Sequence, residues 1–145
     1  MKRLLIIMGC LWFGSLQAQD WQDSFEDALA LANDQDKPIV LVFSGSDWCG
    51  PCIRLKRGIL DSKDFSAYAK DHYVLYNADF PRKKKNQLPE HKVNENKSLF
   101  AEYNPKGYFP LVVVLDKNQK VLGKTGFNRK ASPQDYIALL DGFVQ

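Results

Sequence analysis

Two cysteines three positions apart, Cys49 and Cys52, stand between an unbroken apolar run and a segment with helical character. That placement constrains the chain more than any other feature. Ile39 to Phe43 (IVLVF) is short, continuous and rich in β-branched residues, the pattern of a strand buried on both faces. Ser44-Gly45-Ser46-Asp47 reads as a loop, and Cys52 to Leu60 as a helix. A strand that hands over to a helix in this way leaves Cys49 at the helix N-terminus, where unpaired N–H groups and the helix dipole favour an anion. Cysteines in such places have pKa values of roughly 3.5 to 7.5. Cys52 follows one turn later, within bridging reach, and Pro51 suits a first turn because its missing N–H costs little there.

The third cysteine, Cys10, falls in a different kind of segment. Met1-Lys2-Arg3 is basic, Leu4 to Leu16 is almost wholly apolar, and the chain turns polar around Ala18. A transmembrane helix needs about 20 apolar residues. The run is shorter, and it reads as a secretory signal peptide over residues 1–18, with one domain over 19–145 and export to the periplasm. Ile7-Met8-Gly9-Cys10 also resembles a lipobox, so lipoprotein anchoring through Cys10 is the alternative to its removal with the leader.

An exported chain meets conditions in which disulfides form. A bridge between residues three apart closes almost no loop and therefore staples little. The pair is then a redox couple or half of a metal site. A zinc site needs four ligands, and only His72 and His91 remain, each alone, so no metal is expected. In the redox reading Cys49 is the exposed nucleophile that attacks a substrate disulfide, and Cys52 is the buried partner that releases the product. The electrons sit in the dithiol, and no cofactor is required.

The remaining pattern supports one ordinary domain. The chain has 145 residues, 45% apolar and 26% charged, which excludes a disordered or low-complexity chain. Without Lys2 and Arg3 the formal charge falls from +3 to +1, so nucleic-acid binding is not expected. Ser24 to Asp34 and Phe65 to His72 read as helices, Tyr73 to Ala78 as a strand, and Leu99 to Tyr103 as a turn or two of helix. Pro110 to Leu115 and Val121 to Phe127 form a strand and its hairpin partner, and Ser132-Pro133 opens a last helix to Val144. Residues 81–97 are polar and charged, an expected exposed excursion. The order predicts an α/β sandwich with a mixed central sheet flanked by helices, with a monomer as the default.

Val42 to Lys56 (VFSGSDWCGPCIRLK), Tyr103 to Asp116 (YNPKGYFPLVVVLD) and Gly123 to Phe127 together resemble the thioredoxin superfamily, above all small exported bacterial members with a G-S-D-W-C segment. The resemblance implies a thioredoxin fold and a thiol–disulfide oxidoreductase acting on protein disulfides or thiols. It makes Gly50 and Pro51 the active dipeptide, Trp48 the aromatic beside the nucleophile, and Pro110 a cis-proline that pairs with an extended substrate. Phe109 joins Pro110 in that groove, while Tyr108 and Tyr103 are divided between groove and core.

The Gly-Pro dipeptide favours a reductase, which would need a membrane electron donor. The alternatives are an oxidase or isomerase, or a non-catalytic binding module on the same fold. Family members commonly carry a buried Asp on the strand before the motif; here that position falls on Val42 or Phe43, and Asp47 reads as a surface loop residue. Gly107 to Pro110 is one residue longer than the usual Gly-x-Pro approach, and Leu111 stands where Thr is frequent. Arg82 to Lys85 is a run of four cations that reads as a solvated loop, with docking of an acidic partner as the alternative.

Overall fold

The strand that leads to the cysteines, β1 (Ile39–Ser44), lies inside a four-stranded sheet of order β2-β1-β3-β4. The computed structural model describes residues 20–145, so the expected leader at 1–18 and Cys10 lie outside the described residues. β2 (Val74–Asp79) pairs with β1 in parallel, with Val42 opposite Asn77 and Ser44 opposite Asp79. β3 (Leu111–Leu115) pairs with β1 antiparallel, and β4 (Val121–Thr125) completes a hairpin with β3. All six residues of β1 are buried because it is paired on both edges and covered on both faces. Ile39, Leu41 and Phe43 join one core cluster, and Val40 and Val42 join the other, as the two-residue period of a strand requires.

α1 (Phe25–Gln35) contributes Phe25, Ala28 and Ala32 to the first cluster. Its start is set by Ser24, whose hydroxyl accepts the Asp27 N–H at 3.0 Å. On the opposite face lie α2 (Gly50–Leu55), α3 (Lys63–His72) and α5 (Pro133–Val144), supplying Leu55, Phe65, Ala69, Tyr136 and Leu140. Ser62 caps α3, and Ser132 with Asp135 forms a reciprocal capping box on α5. A single parallel bridge from Trp21 to Leu75 borders β2.

Two expectations need correction. The helix expected over Cys52 to Leu60 is in two pieces: α2 stops at Leu55, and Lys56–Leu60 is a π-helical turn closed by the Asp61 N–H on the Lys56 carbonyl at 2.8 Å. The wider turn accommodates consecutive Ile59 and Leu60, both 2% exposed, against the core. The exposed excursion expected over 81–97 is a loop with one 3-10 turn, Lys84–Asn86, that gives way at residue 90 to α4 (Glu90–Tyr103). α4 escapes a search for apolar periodicity because polar side chains dock its first turns. Asn96 is 1% exposed. The Tyr76 hydroxyl lies 2.8 Å from Asn96 Oδ1 and 2.7 Å from Glu95 Oε2, and Asn96 Nδ2 donates to the Asp79 carbonyl at 3.0 Å. Glu95 Oε1 accepts the Phe25 N–H at 2.9 Å, which ties α4 to the start of α1.

Candidate active site

Past Ser44 the chain turns through Gly45 to Trp48, and the N–H groups of Trp48 and Cys49 both donate to the Gly45 carbonyl, at 3.3 and 2.8 Å. A Cβ on Gly45 would stand 2.3 Å from the Trp48 ring, so only glycine lets the indole lie against the turn. The Trp48 Nε1–H donates to the Phe80 carbonyl at 2.7 Å. Its ring meets Phe109 edge-on at 5.3 Å, and the Arg82 guanidinium carbon lies 3.8 Å from the ring centroid.

Asp47 explains why Arg82 is there. One carboxylate oxygen accepts the Arg82 N–H at 2.9 Å; the other accepts the Lys83 N–H and Asn86 Nδ2, each at 2.9 Å. The Arg82 N–H is the largest of the influences that hold the Asp47 carboxyl at about 2, below its ordinary 3.8. Asp47 is thus a clamp between two loops, and its lone pairs are already engaged by them.

Cys49 occupies the N-cap of α2, and its sulfur accepts the Cys52 N–H at 3.3 Å. Gly50 is the first residue of the helix and Pro51 stands in its first turn. Cys49 and Cys52 are joined in a disulfide, Cα to Cα 5.2 Å. Both are only 4% exposed, so the expected contrast of an exposed Cys49 and a buried Cys52 is absent from the bonded form, in which each sulfur covers the other.

The Phe109–Pro110 peptide is cis, and Pro110 borders the same cleft as Cys52. The loop before it is shaped by Asn104, 1% exposed, whose side chain accepts the Tyr108 N–H at 3.0 Å and donates to the Tyr108 carbonyl at 2.8 Å. Gly107 takes a φ of +72° in this turn, a conformation that disfavours any side chain. Tyr103 is core, at 3% exposure, while Tyr108 is 58% exposed. Phe109 is half-buried and packs among Trp48, Phe80 and Phe100.

Behind Cys52 opens a cleft of about 580 Å³, bordered by Val42, Ser44, Asn77, Asp79, Lys56 and Pro110 among others. The strand position facing it is therefore Val42, which cannot ionise. The Asp79 carboxylate on the neighbouring strand accepts from the hydroxyls of Ser44 and Ser46 and from the Ser46 N–H, at 3.2, 2.5 and 2.8 Å.

A family model described as Thioredoxin-like matches residues 20–117. The chain belongs to this thioredoxin-like family. Its relatives include a protein named disulfide bond reductase DsbH from Chlamydia pneumoniae, 39% identical over 105 residues, covering 72% of this chain and 61% of that protein. The chain thus spans about three fifths of that relative's length. A solved structure titled DsbH Oxidoreductase superposes with a TM-score of 0.80 at 33% identity, covering 88% of this chain and 85% of the other. A disulphide isomerase from Xylella fastidiosa Temecula1 has the same fold, with a TM-score of 0.62 at 23% identity over 86% of this chain and 93% of that one.

This family member has the thioredoxin fold with its Cys-Gly-Pro-Cys segment and cis-proline in the places the sequence implied. Gly45 and Asn104 have no place in the sequence expectations for this site. Gly45 carried a faint signal, lying just before the motif. Arg82 stood out only as the start of a charge run, and Asn104 carried no signal, since the contacts of both depend on which loops meet.

Proposed function

We propose that this chain is an exported, periplasmic thiol–disulfide oxidoreductase that reduces disulfides of other exported proteins. The observation that carries this reading is the bonded Cys49–Cys52 pair at the start of α2, with the Cys52 N–H directed at the Cys49 sulfur. On reduction that N–H and the helix terminus stabilise a thiolate at position 49. The thiolate attacks one sulfur of a substrate disulfide, forming a Cys49–substrate mixed disulfide and expelling the other substrate sulfur as a thiolate. Cys52, having lost its proton, attacks Cys49 and expels the second substrate thiolate. Two electrons have passed to the substrate, and the protein is left in the bonded state. A dithiol donor, supplied from the membrane, must return two electrons before the next turnover.

Support for the reducing direction comes from the Gly50-Pro51 dipeptide and from the 39% identity to a relative named a disulfide bond reductase. Trp48, next to Cys49, packs against Phe109, and the cis Pro110 is the position at which an extended substrate would pair. The deciding measurement is the reduction potential of the Cys49–Cys52 couple by equilibration against glutathione. A value near about −270 mV supports the reductase, and a value near about −120 mV makes the protein an oxidase. A pair that never equilibrates leaves a binding module. Cys52→Ser is expected to accumulate the mixed disulfide, and Cys49→Ser to show no thiol exchange.

A further inference from the structure

The chain is nearly balanced in charge, yet a run of four cations begins at Arg82, against the tryptophan that precedes Cys49. Arg82, Lys83, Lys84 and Lys85 are consecutive and exposed. Their loop is no free strand of solvated residues, because Asp47 holds the backbone of Arg82 and Lys83 and the side chain of Asn86. Asp47 is itself adjacent to Trp48, and the Arg82 guanidinium lies over the Trp48 ring. On the other side of the motif Arg54 folds back toward Gly50, its Nη1 3.6 Å from where a Cβ on Gly50 would stand. Among the described residues, neither arginine nor Lys83, Lys84 or Lys85 takes part in a salt bridge. The Asp47 carboxylate accepts its hydrogen bonds from the Arg82 and Lys83 backbone and from Asn86.

From this arrangement we infer that the basic loop is a substrate-recognition rim: it selects disulfide-bearing polypeptide segments with Asp or Glu on the side of the cystine that passes Trp48. This rests on the oxidoreductase reading and names its substrate class. An extended chain paired at Pro110 and presenting a sulfur to Cys49 runs on past Trp48 to Arg82 and the lysines. Exposed rim charges act mainly on encounter rate, and their action is screened by salt. The loop therefore sorts substrates by how fast they arrive, while the chemistry stays with the two cysteines.

The test uses the purified, prereduced protein as the stoichiometric reductant in single turnover. Two peptides share one disulfide and differ only in the flank beside it, acidic in one and the corresponding amides in the other. At low ionic strength the acidic peptide is expected to react roughly tenfold faster. The preference should shrink toward parity as salt rises to about 0.5 M, where the Debye length is only a few ångströms. Lys84→Glu with Lys85→Glu leaves the run at 82–85 with no net charge and should abolish the preference, and the milder Lys84→Gln with Lys85→Gln should bring it to an intermediate value. Equal rates for the unsubstituted protein at low salt overturn the inference, as does a preference that survives the charge reversal. Reduction of neither peptide overturns the oxidoreductase reading itself, and the inference falls with it.

Discussion

The two flanks of the disulfide are built in opposite ways. On the Trp48 side the mobile groups are held: the indole N–H by the Phe80 carbonyl, its ring by Phe109 and Arg82, and the Asp47 carboxylate by two backbone N–H groups and Asn86. Gly45 leaves no room for a side chain beneath the ring. On the Cys52 side there is a cleft of about 580 Å³, walled by apolar Val42 next to the polar Ser44, Asn77 and Asp79. A rigid rim gives a partner a fixed shape and charge to meet. The open cleft borders Cys52 at a strand position, Val42, that carries no acid. The contrast places a held aromatic rim and an open cleft within a few residues of one bond.

Val42→Asp breaks the contrast most. It puts a carboxyl into a position only 3% exposed, and an expected loss of about 3–4 kcal/mol follows from burying a polar group there. Desolvation should lift that carboxyl above the ordinary carboxylate range and give decay of the mixed disulfide a new titration, read by quenched single turnover. A stability equal to that of the parent in urea unfolding would show that the cleft hydrates the site freely. Gly45→Ala attacks the rigid flank. Displacing the indole is expected to destabilise by about 1–3 kcal/mol and to speed exchange of the Trp48 indole proton, which donates to the Phe80 carbonyl. An indole proton that persists would mean that the turn can yield without moving the ring.

Tyr76→Phe is expected to cost about 1–2 kcal/mol, because buried Asn96 loses a partner and Glu95 loses one of its two. Asn96 in turn holds the Asp79 carbonyl at the wall of the cleft, so the loss tests how that wall is supported. An unchanged urea midpoint would assign the docking of α4 to its apolar residues alone. The smallest effect is expected from acid. The folded Asp47 carboxyl lies at about 2 against an ordinary 3.8, so its clamp is fully present above the ordinary value and is lost as pH falls toward the folded one. The Trp48 indole resonance should shift between pH about 4 and 2, and in Asp47→Asn it should be displaced at neutral pH and lack this titration. A resonance that ignores acid in the parent would remove Asp47 from the account of the rim.

The chemistry of the bonded pair was legible because its causes are local. Cys49 at a helix start, Pro51 in the first turn and Cys52 one turn on follow from neighbours in sequence, and the caps at Ser24, Ser62 and Ser132 rest on contacts three residues long. The central strand was legible because burial on both faces leaves an unbroken apolar run. α4 was read too short, since its first turns are docked by Glu95 and Asn96, and a directional hydrogen bond has no period to detect.

Where the cysteine pair sits and which elements flank it follow from local sequence, because strand burial, helix starts and cysteine spacing are short-range constraints. That Arg82, at the head of the charge run, lies against the aromatic beside the disulfide follows from long-range packing alone. The Asp47 contacts with Arg82 and Lys83 and the seat of Arg82 on Trp48 join residues more than thirty positions apart. They exist because parallel pairing of β1 with β2 brings the loops after both strands to the same end of the sheet. Charge in a sequence shows that cations are present; the packing of two loops decides what they face.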